Sequence, residues 1–188
     1  MSAVLSAILG LYVGHAQSLD TVSAQVAQQE MQRLLAPAGI ELIWNKRNRD
    51  VSQLVVVTFD GSCSLDALPA SPAGYTTSVV LADTSVSSGR VLPYLRVDCD
   101  WIVRTLMPTL EPLSMPLRRA ILGRALGRIM AHELYHVLSQ RKDHDRTGVA
   151  KASFSLDDLT AHRFDFELST IDEMRYARRP IPLLADAH

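Results

Sequence analysis

Neither sign of charge dominates this chain of 188 residues: 19 lysines and arginines stand against 20 acidic residues, for a net charge of −1. A polyanion-binding face needs clustered basic residues with aromatics among them, and no such stripe is present. Nucleic acid is therefore not an expected partner. Long hydrophobic runs are also missing. The apolar stretch at residues 3–13 has only 11 residues, too few to span a bilayer as a finished helix, so no stable membrane span is expected. Cysteine is scarce, with two in the chain and neither in a C-x-x-C pair, which argues against a thiolate zinc cluster. Internal repeats and a domain linker are absent too. A hydrophobic content of 47% with 21% charged residues then describes one globular domain with a proper core.

The first residues read differently from the rest. Residues 3–13 are uncharged and apolar, and Gly14-His15-Ala16 places small residues where a signal peptidase inspects the chain. This predicts a signal peptide over 1–16 and a mature domain over 17–188, secreted or periplasmic. The n-region lacks Lys and Arg and has only the terminal amine for charge. Cys63 and Cys99 suit an exported chain. Joined as a disulfide they close a loop of 35 intervening residues, a span that stabilises by roughly 3 to 4 kcal/mol in the chain-entropy model.

Along the chain, Asp20 or Thr21 can cap a helix running to about Leu35, with Val22, Val26 and Leu34 on its apolar side and Pro37 and Gly39 at its end. Residues 40–44 alternate as a short strand, residues 45–50 form a polar turn, and residues 54–59 are a β-branched and aromatic run suited to a central strand. Residues 61–89 are rich in Ser, Ala, Gly, Pro and Thr, and read as loops around an edge strand at 78–82. Residues 91–97 predict another strand, with Pro93 confining it to an edge or to its own start. Asp98 or Asp100 then caps a helix that Pro108 stops. Beyond the helix that follows, Ser155 caps a further helix, and residues 167–175 are helical or turn once more. The pattern predicts an α+β fold: a small mixed sheet packed against one long helix, with a mostly helical C-terminal part.

That long helix starts at Ser114, with Pro116 in its first turn, and runs without a breaker into His132-Glu133-Leu134-Tyr135-His136. Leu122, Leu126, Ile129 and Met130 mark its apolar face, while Arg118, Arg119, Arg124 and Arg128 lie mostly opposite. Gly123 and Gly127 weaken it by roughly 1 kcal/mol each, a cost that makes sense where another backbone packs closely. At about 100° per residue, positions i and i+4 differ by about 40°, so His132 and His136 point the same way and can hold one metal ion. Glu133 stays on that side, where its carboxylate can reach a water activated by the metal.

A catalytic zinc takes three protein ligands and keeps one position open. His144, eight positions after His136 in a polar loop, is the expected third ligand. The rivals are carboxylates of the following segment: Asp157, Asp158 and above all Glu167. Asp143 and Asp145 are either loop charges or groups that orient an imidazole. The H-E-x-x-H at the end of a long helix, after a helix and strands, resembles the zincin clan of zinc metallopeptidases. The later His144 makes the resemblance metzincin-like, and it departs from that pattern in spacing: Ser139 and Lys142 stand where the metzincin motif has Gly and His. The missing glycine implies a longer exit from the helix. Met174 corresponds to a Met-turn-like residue or is plain core filler.

The resemblance implies a zinc-dependent peptidase with a peptide or protein substrate. His132, His136 and His144 would hold Zn²⁺, and Glu133 would take a proton from the attacking water and pass it to the leaving amine. Tyr135, His162 and Tyr176 are candidates for a further donor to the oxyanion. Two other readings stay open: an exported binding or inhibitory protein that keeps the fold and metal without turnover, and a structural zinc domain closed by a fourth ligand such as Asp145 or Glu167.

Overall fold

In the computed structural model the chain is described over residues 7–14, 19–45, 51–65 and 80–177. The fold is α+β, with one mixed five-stranded sheet and helices in a single domain. Strands β1 (Ala7–Val13), β2 (Ile40–Trp44), β3 (Gln53–Asp60), β4 (Ala82–Ser87) and β5 (Arg90–Asp98) lie in the order β2-β1-β3-β5-β4. The pairs β1–β2, β1–β3 and β3–β5 are parallel, and the edge strand β4 runs antiparallel to β5. Helices α1 (Thr21–Leu35), α2 (Cys99–Leu110), α3 (Met115–Ser139), α4 (Leu156–Thr160) and α5 (Leu168–Tyr176) complete the chain. The core joins Leu9 and Leu11 of β1, Val55 and Val57 of β3 and Leu95 and Val97 of β5 to Met31, Leu35, Leu126 and Met130 of α1 and α3. The other face of the sheet shows Tyr12, Leu54 and Tyr94, each about half exposed.

The position of β1 bears on the reading of the first residues. Residues 7–13, expected to belong to a signal cut after Ala16, are hydrogen-bonded between β2 and β3, with Leu9 paired to Leu42 on one side and to Gln53 on the other. A short apolar run has the same composition whether it is an export signal or a buried parallel strand, and only its partners tell the two apart. Cleavage after Ala16 would remove the strand that lies between β2 and β3. Residues 46–50 of the expected polar turn and residues 78–79 of the expected edge strand lie outside the described residues.

Other expectations shift locally. The edge strand falls later than 78–82, because Ala82–Ser87 is polar and carries no apolar run to announce it. β5 is an interior strand despite Pro93. Its ladder with β4 shifts register between Thr84 and Val86, where Thr84 pairs with Leu95 and Val86 with Val91, so Pro93 falls in the irregular part where no donor is required. Pro108 lies inside α2, which continues to Leu110. Val22 is 43% exposed, and α1 instead buries Ser23, Ala27, Glu30, Met31, Leu34 and Leu35.

Several signals were read correctly. Asp20 caps α1 by accepting from the Val22 and Ser23 backbone N–H groups. Ser155 and Asp158 form a reciprocal capping box on α4. Cys63 and Cys99 are joined, tying the chain just past β3 to the first turn of α2.

The contact that sets α3 against the rest is its crossing with α1. A Cβ added to Gly123 would lie 2.5 Å from the Ser23 carbonyl oxygen, and one added to Gly127 would lie 2.8 Å from that of Ala27. The two glycines allow the backbones to meet. Beside them Arg128, expected on a polar face, is fully buried. Its guanidinium donates to Glu30 at 2.8 Å and to the carbonyls of Asp158 and Ala161, which joins α1, α3 and the end of α4. Arg33 donates to Glu30 as well, and also to Asp165 and the Phe164 carbonyl.

Two outcomes test this account. A chain reduced to residues 17–188 should lose cooperative unfolding in circular dichroism, whereas full stability would restore the export-signal boundary. Burial raises the Glu30 pKa, but hydrogen bonds from Arg33 and Arg128 outweigh it and hold the carboxyl below its usual value. The stabilisation is thus present above the unfolded carboxyl pKa and lost as pH falls through the lower folded value. Glu30→Gln should cost about 3 kcal/mol in urea denaturation at neutral pH by leaving Arg128 buried with a weaker partner, and the gap should narrow below about pH 4.

Candidate metal centre

His132 and His136 lie in the last two turns of α3, where the helix is buried on nearly every side. Each ring is fixed from behind by a main-chain oxygen. His132 Nδ1 faces the Val149 carbonyl at 2.7 Å, and His136 Nδ1 faces that of Arg141 at 2.8 Å. A carbonyl only accepts, so both Nδ1 atoms carry hydrogen and both Nε2 atoms carry a lone pair. Those two Nε2 atoms stand 3.1 Å apart. Two facing acceptors have no hydrogen to share, and a cation between them resolves the arrangement.

His144 completes the set. Its ring stacks on His132 at 5.1 Å with planes 15° apart and meets His136 edge-on at 4.8 Å. One nitrogen from each of the three rings falls within 4.8 Å of the others, a group that can hold a metal ion. Metal–nitrogen bonds of 2.0–2.1 Å at tetrahedral angles put ligand nitrogens about 3.3 Å apart, close to the observed pair. The three imidazoles therefore fit a metal, and each of the two helix histidines has the carbonyl partner that typically orients a metal-bound imidazole.

The exit from α3 explains how His144 returns without the expected glycine. The helix ends at Gln140, a non-glycine residue in the left-handed region with φ 58°. Its side-chain amide donates to the carbonyls of Val91 and Val137, which anchors the turn to β5. Further on, Asp145 N–H donates to the Ala150 carbonyl and Val149 N–H to that of Asp165, closing the loop under His132. Gly148 has φ 69°, and a Cβ there would meet the Asp165 carbonyl at 2.8 Å.

Of the rival carboxylates, Asp157 stands outside the three-histidine group, and the others are engaged elsewhere. Glu167 accepts from Thr147, Asp158 pairs with Lys151, Asp143 pairs with Arg141, and Asp145 accepts from Thr170. None of them joins the three-histidine group among the described residues.

Glu133 is buried beside these histidines. Burial pushes its carboxyl pKa up to about 7, against the lowering effect of a hydrogen bond from Thr84 and together with the nearby Asp83 charge. His132 is driven down to about 4, chiefly by burial, and His136 is also lowered for that reason first. The desolvated imidazoles stay neutral, the form that binds metal.

The histidines and Glu133 open onto a cleft of about 520 Å³. Leu81, Thr84 and Val86 line it from the side of β4, Ile129 from α3, and Phe154 from the loop beyond His144. The candidates for an oxyanion donor do not line the cleft. Tyr135 is fully buried against Phe166, with a hydroxyl that has no hydrogen-bond partner among the described residues, and neither it, His162 nor Tyr176 lines the cleft. Met174 is fully buried in the core. Sequence reasoning missed Thr84, hidden in a polar edge strand, and the carbonyls of Val149 and Arg141, which no side-chain pattern announces.

No family model matches the chain, and no curated protein matches its sequence.

The ligand assignment makes a direct prediction. His144→Ala should weaken metal binding by about 100-fold or more, since even indirect partners of ligands cost 10- to 100-fold. Glu167→Ala should leave it nearly unchanged. Competition with a chromophoric chelator measures both, and the reverse order would move the third ligand to the carboxylate.

Proposed function

We propose that the protein is a zinc-dependent peptidase resembling the metzincin branch of the zincin clan, with His132, His136 and His144 as ligands and Glu133 as general base. The observation that carries this reading is the pair of facing Nε2 lone pairs with a buried carboxylate on the next residue of the same helix. Three imidazoles without a thiolate suit zinc, and a fourth position facing an open cleft suits catalysis better than a structural site. Zinc held there would acidify a water and polarise a scissile carbonyl. Glu133 would accept the proton of the attacking water and deliver it to the leaving amine, a task favoured by a pKa near neutrality.

The substrate is a peptide or protein in extended form. β4 has one edge paired to β5 and, among the described residues, no strand on its other edge beside the cleft, so an extended backbone can add to the sheet there by main-chain hydrogen bonds. The Cys63–Cys99 bridge supports an oxidising compartment, extracellular or periplasmic. No helix among the described residues is long and apolar enough to cross a membrane.

Replacing Glu133 by alanine should leave zinc content unchanged and lower peptide hydrolysis by about 10²- to 10⁴-fold, the usual contribution of a general base. Metal analysis and a quenched-fluorescence peptide library measure the two quantities. Equal hydrolysis by both proteins would refute the mechanism. A wild-type protein that binds zinc and peptides without cleaving them would instead favour a non-catalytic binding or inhibitory role.

A further inference from the structure

Among the described residues the Glu133 carboxylate has one side-chain hydrogen-bond partner, and it comes from the sheet. The Thr84 hydroxyl donates to Glu133 Oε2 at 2.5 Å and stands 3.4 Å from the Glu133 carbonyl oxygen. Thr84 belongs to β4, the edge strand of the sheet among the described residues. It pairs with Leu95, which is 2% exposed in the core, and residues directly opposite on a pleated sheet point to the same face. The hydroxyl is therefore directed inward at α3. The register shift follows immediately, between Thr84 and Val86, a type of irregularity that re-aims side chains beside functional sites.

We propose that Thr84 is a positioning residue that couples peptide pairing along β4 to the orientation of the Glu133 carboxylate. This rests on the hydrolytic reading above. The hydroxyl holds Oε2, which leaves Oε1 to take the proton of the attacking water. A peptide that adds its backbone to β4 stiffens the strand carrying the hydroxyl, so binding far from the scissile bond is converted into alignment of the base. Remote binding energy used in this way raises kcat rather than lowering KM.

The test uses the full chain and two fluorogenic peptides sharing one scissile bond, a short one and one long enough to pair along β4. Thr84→Val removes the hydroxyl while keeping a β-branched side chain, Thr84→Ser retains the hydroxyl, and Thr84→Ala is a second deletion should the valine variant fail to fold. The expected result is a kcat that rises with peptide length in wild type and in Thr84→Ser. In Thr84→Val, kcat on the long peptide should fall about 10- to 100-fold, as loss of a hydrogen bond to a charged group implies, with KM and zinc content nearly constant and the length dependence gone. A second readout needs no turnover. In metal-free protein the Glu133 carboxylate infrared band, isolated by difference against Glu133→Gln, should shift in Thr84→Val and stay in place in Thr84→Ser. An unshifted band in Thr84→Val overturns the proposal, as does an effect on KM alone. A wild type that hydrolyses neither peptide defeats the peptidase reading, and the infrared comparison still decides whether Thr84 sets the carboxylate.

Discussion

Everything in this molecule depends on the burial of α3. From Leu122 onward the helix is largely enclosed by α1, the sheet and the segments that follow it, so the side chains of Arg128, His132, Glu133 and His136 are desolvated and need partners. Arg128 finds Glu30 and two carbonyls, His132 and His136 find carbonyls behind them, and Glu133 finds Thr84. The helix can be this deep because Gly123 and Gly127 let α1 approach to backbone contact. A methyl group at either position would push the helices apart and move the histidines with them.

The same burial gives the site its chemistry. Imidazoles deprived of water resist protonation, and a carboxyl deprived of water resists ionisation, so His132 and His136 are held towards the neutral form beside an acid whose affinity for a proton is raised. Neutral rings with Nδ1–H turned outward converge their lone pairs on a single point. Holding the rings from behind requires carbonyls at fixed places, and these come from the loop after α3. That loop is itself held by the Val149–Asp165 main-chain bond and by Arg33, which donates to both Asp165 and the Phe164 carbonyl. The buried ionic cluster between α1 and the C-terminal segments thus lies behind the three histidines rather than apart from them.

Much of this was legible in the chain. The long helix, its cap region and the i, i+4 histidines follow from local periodicity, and the two glycines four apart signalled a close helix crossing. The bridge between Cys63 and Cys99 was legible as the one available pairing. Other features were not legible, for reasons of the same kind. The apolarity of residues 7–13 suits an export signal and a strand paired on both sides alike. Arg128 lay on the arginine side of a helical wheel, yet the helix has no solvent side at that depth. The edge strand was misplaced because Asp83, Thr84, Ser85 and Ser87 give no apolar alternation.

What the sequence determined by itself is what depends on neighbours along the chain: helix phase, caps, turn residues and the facing pair of histidines, all governed by a few residues of separation. The tertiary structure alone decided what depends on partners far apart in the chain. It assigned residues 7–13 to the sheet, placed His144 rather than a carboxylate beside the first two rings, and brought Thr84 to Glu133 across 49 positions. Such contacts arise from packing and backbone hydrogen bonding, which act through space and leave no periodic trace in the order of the residues.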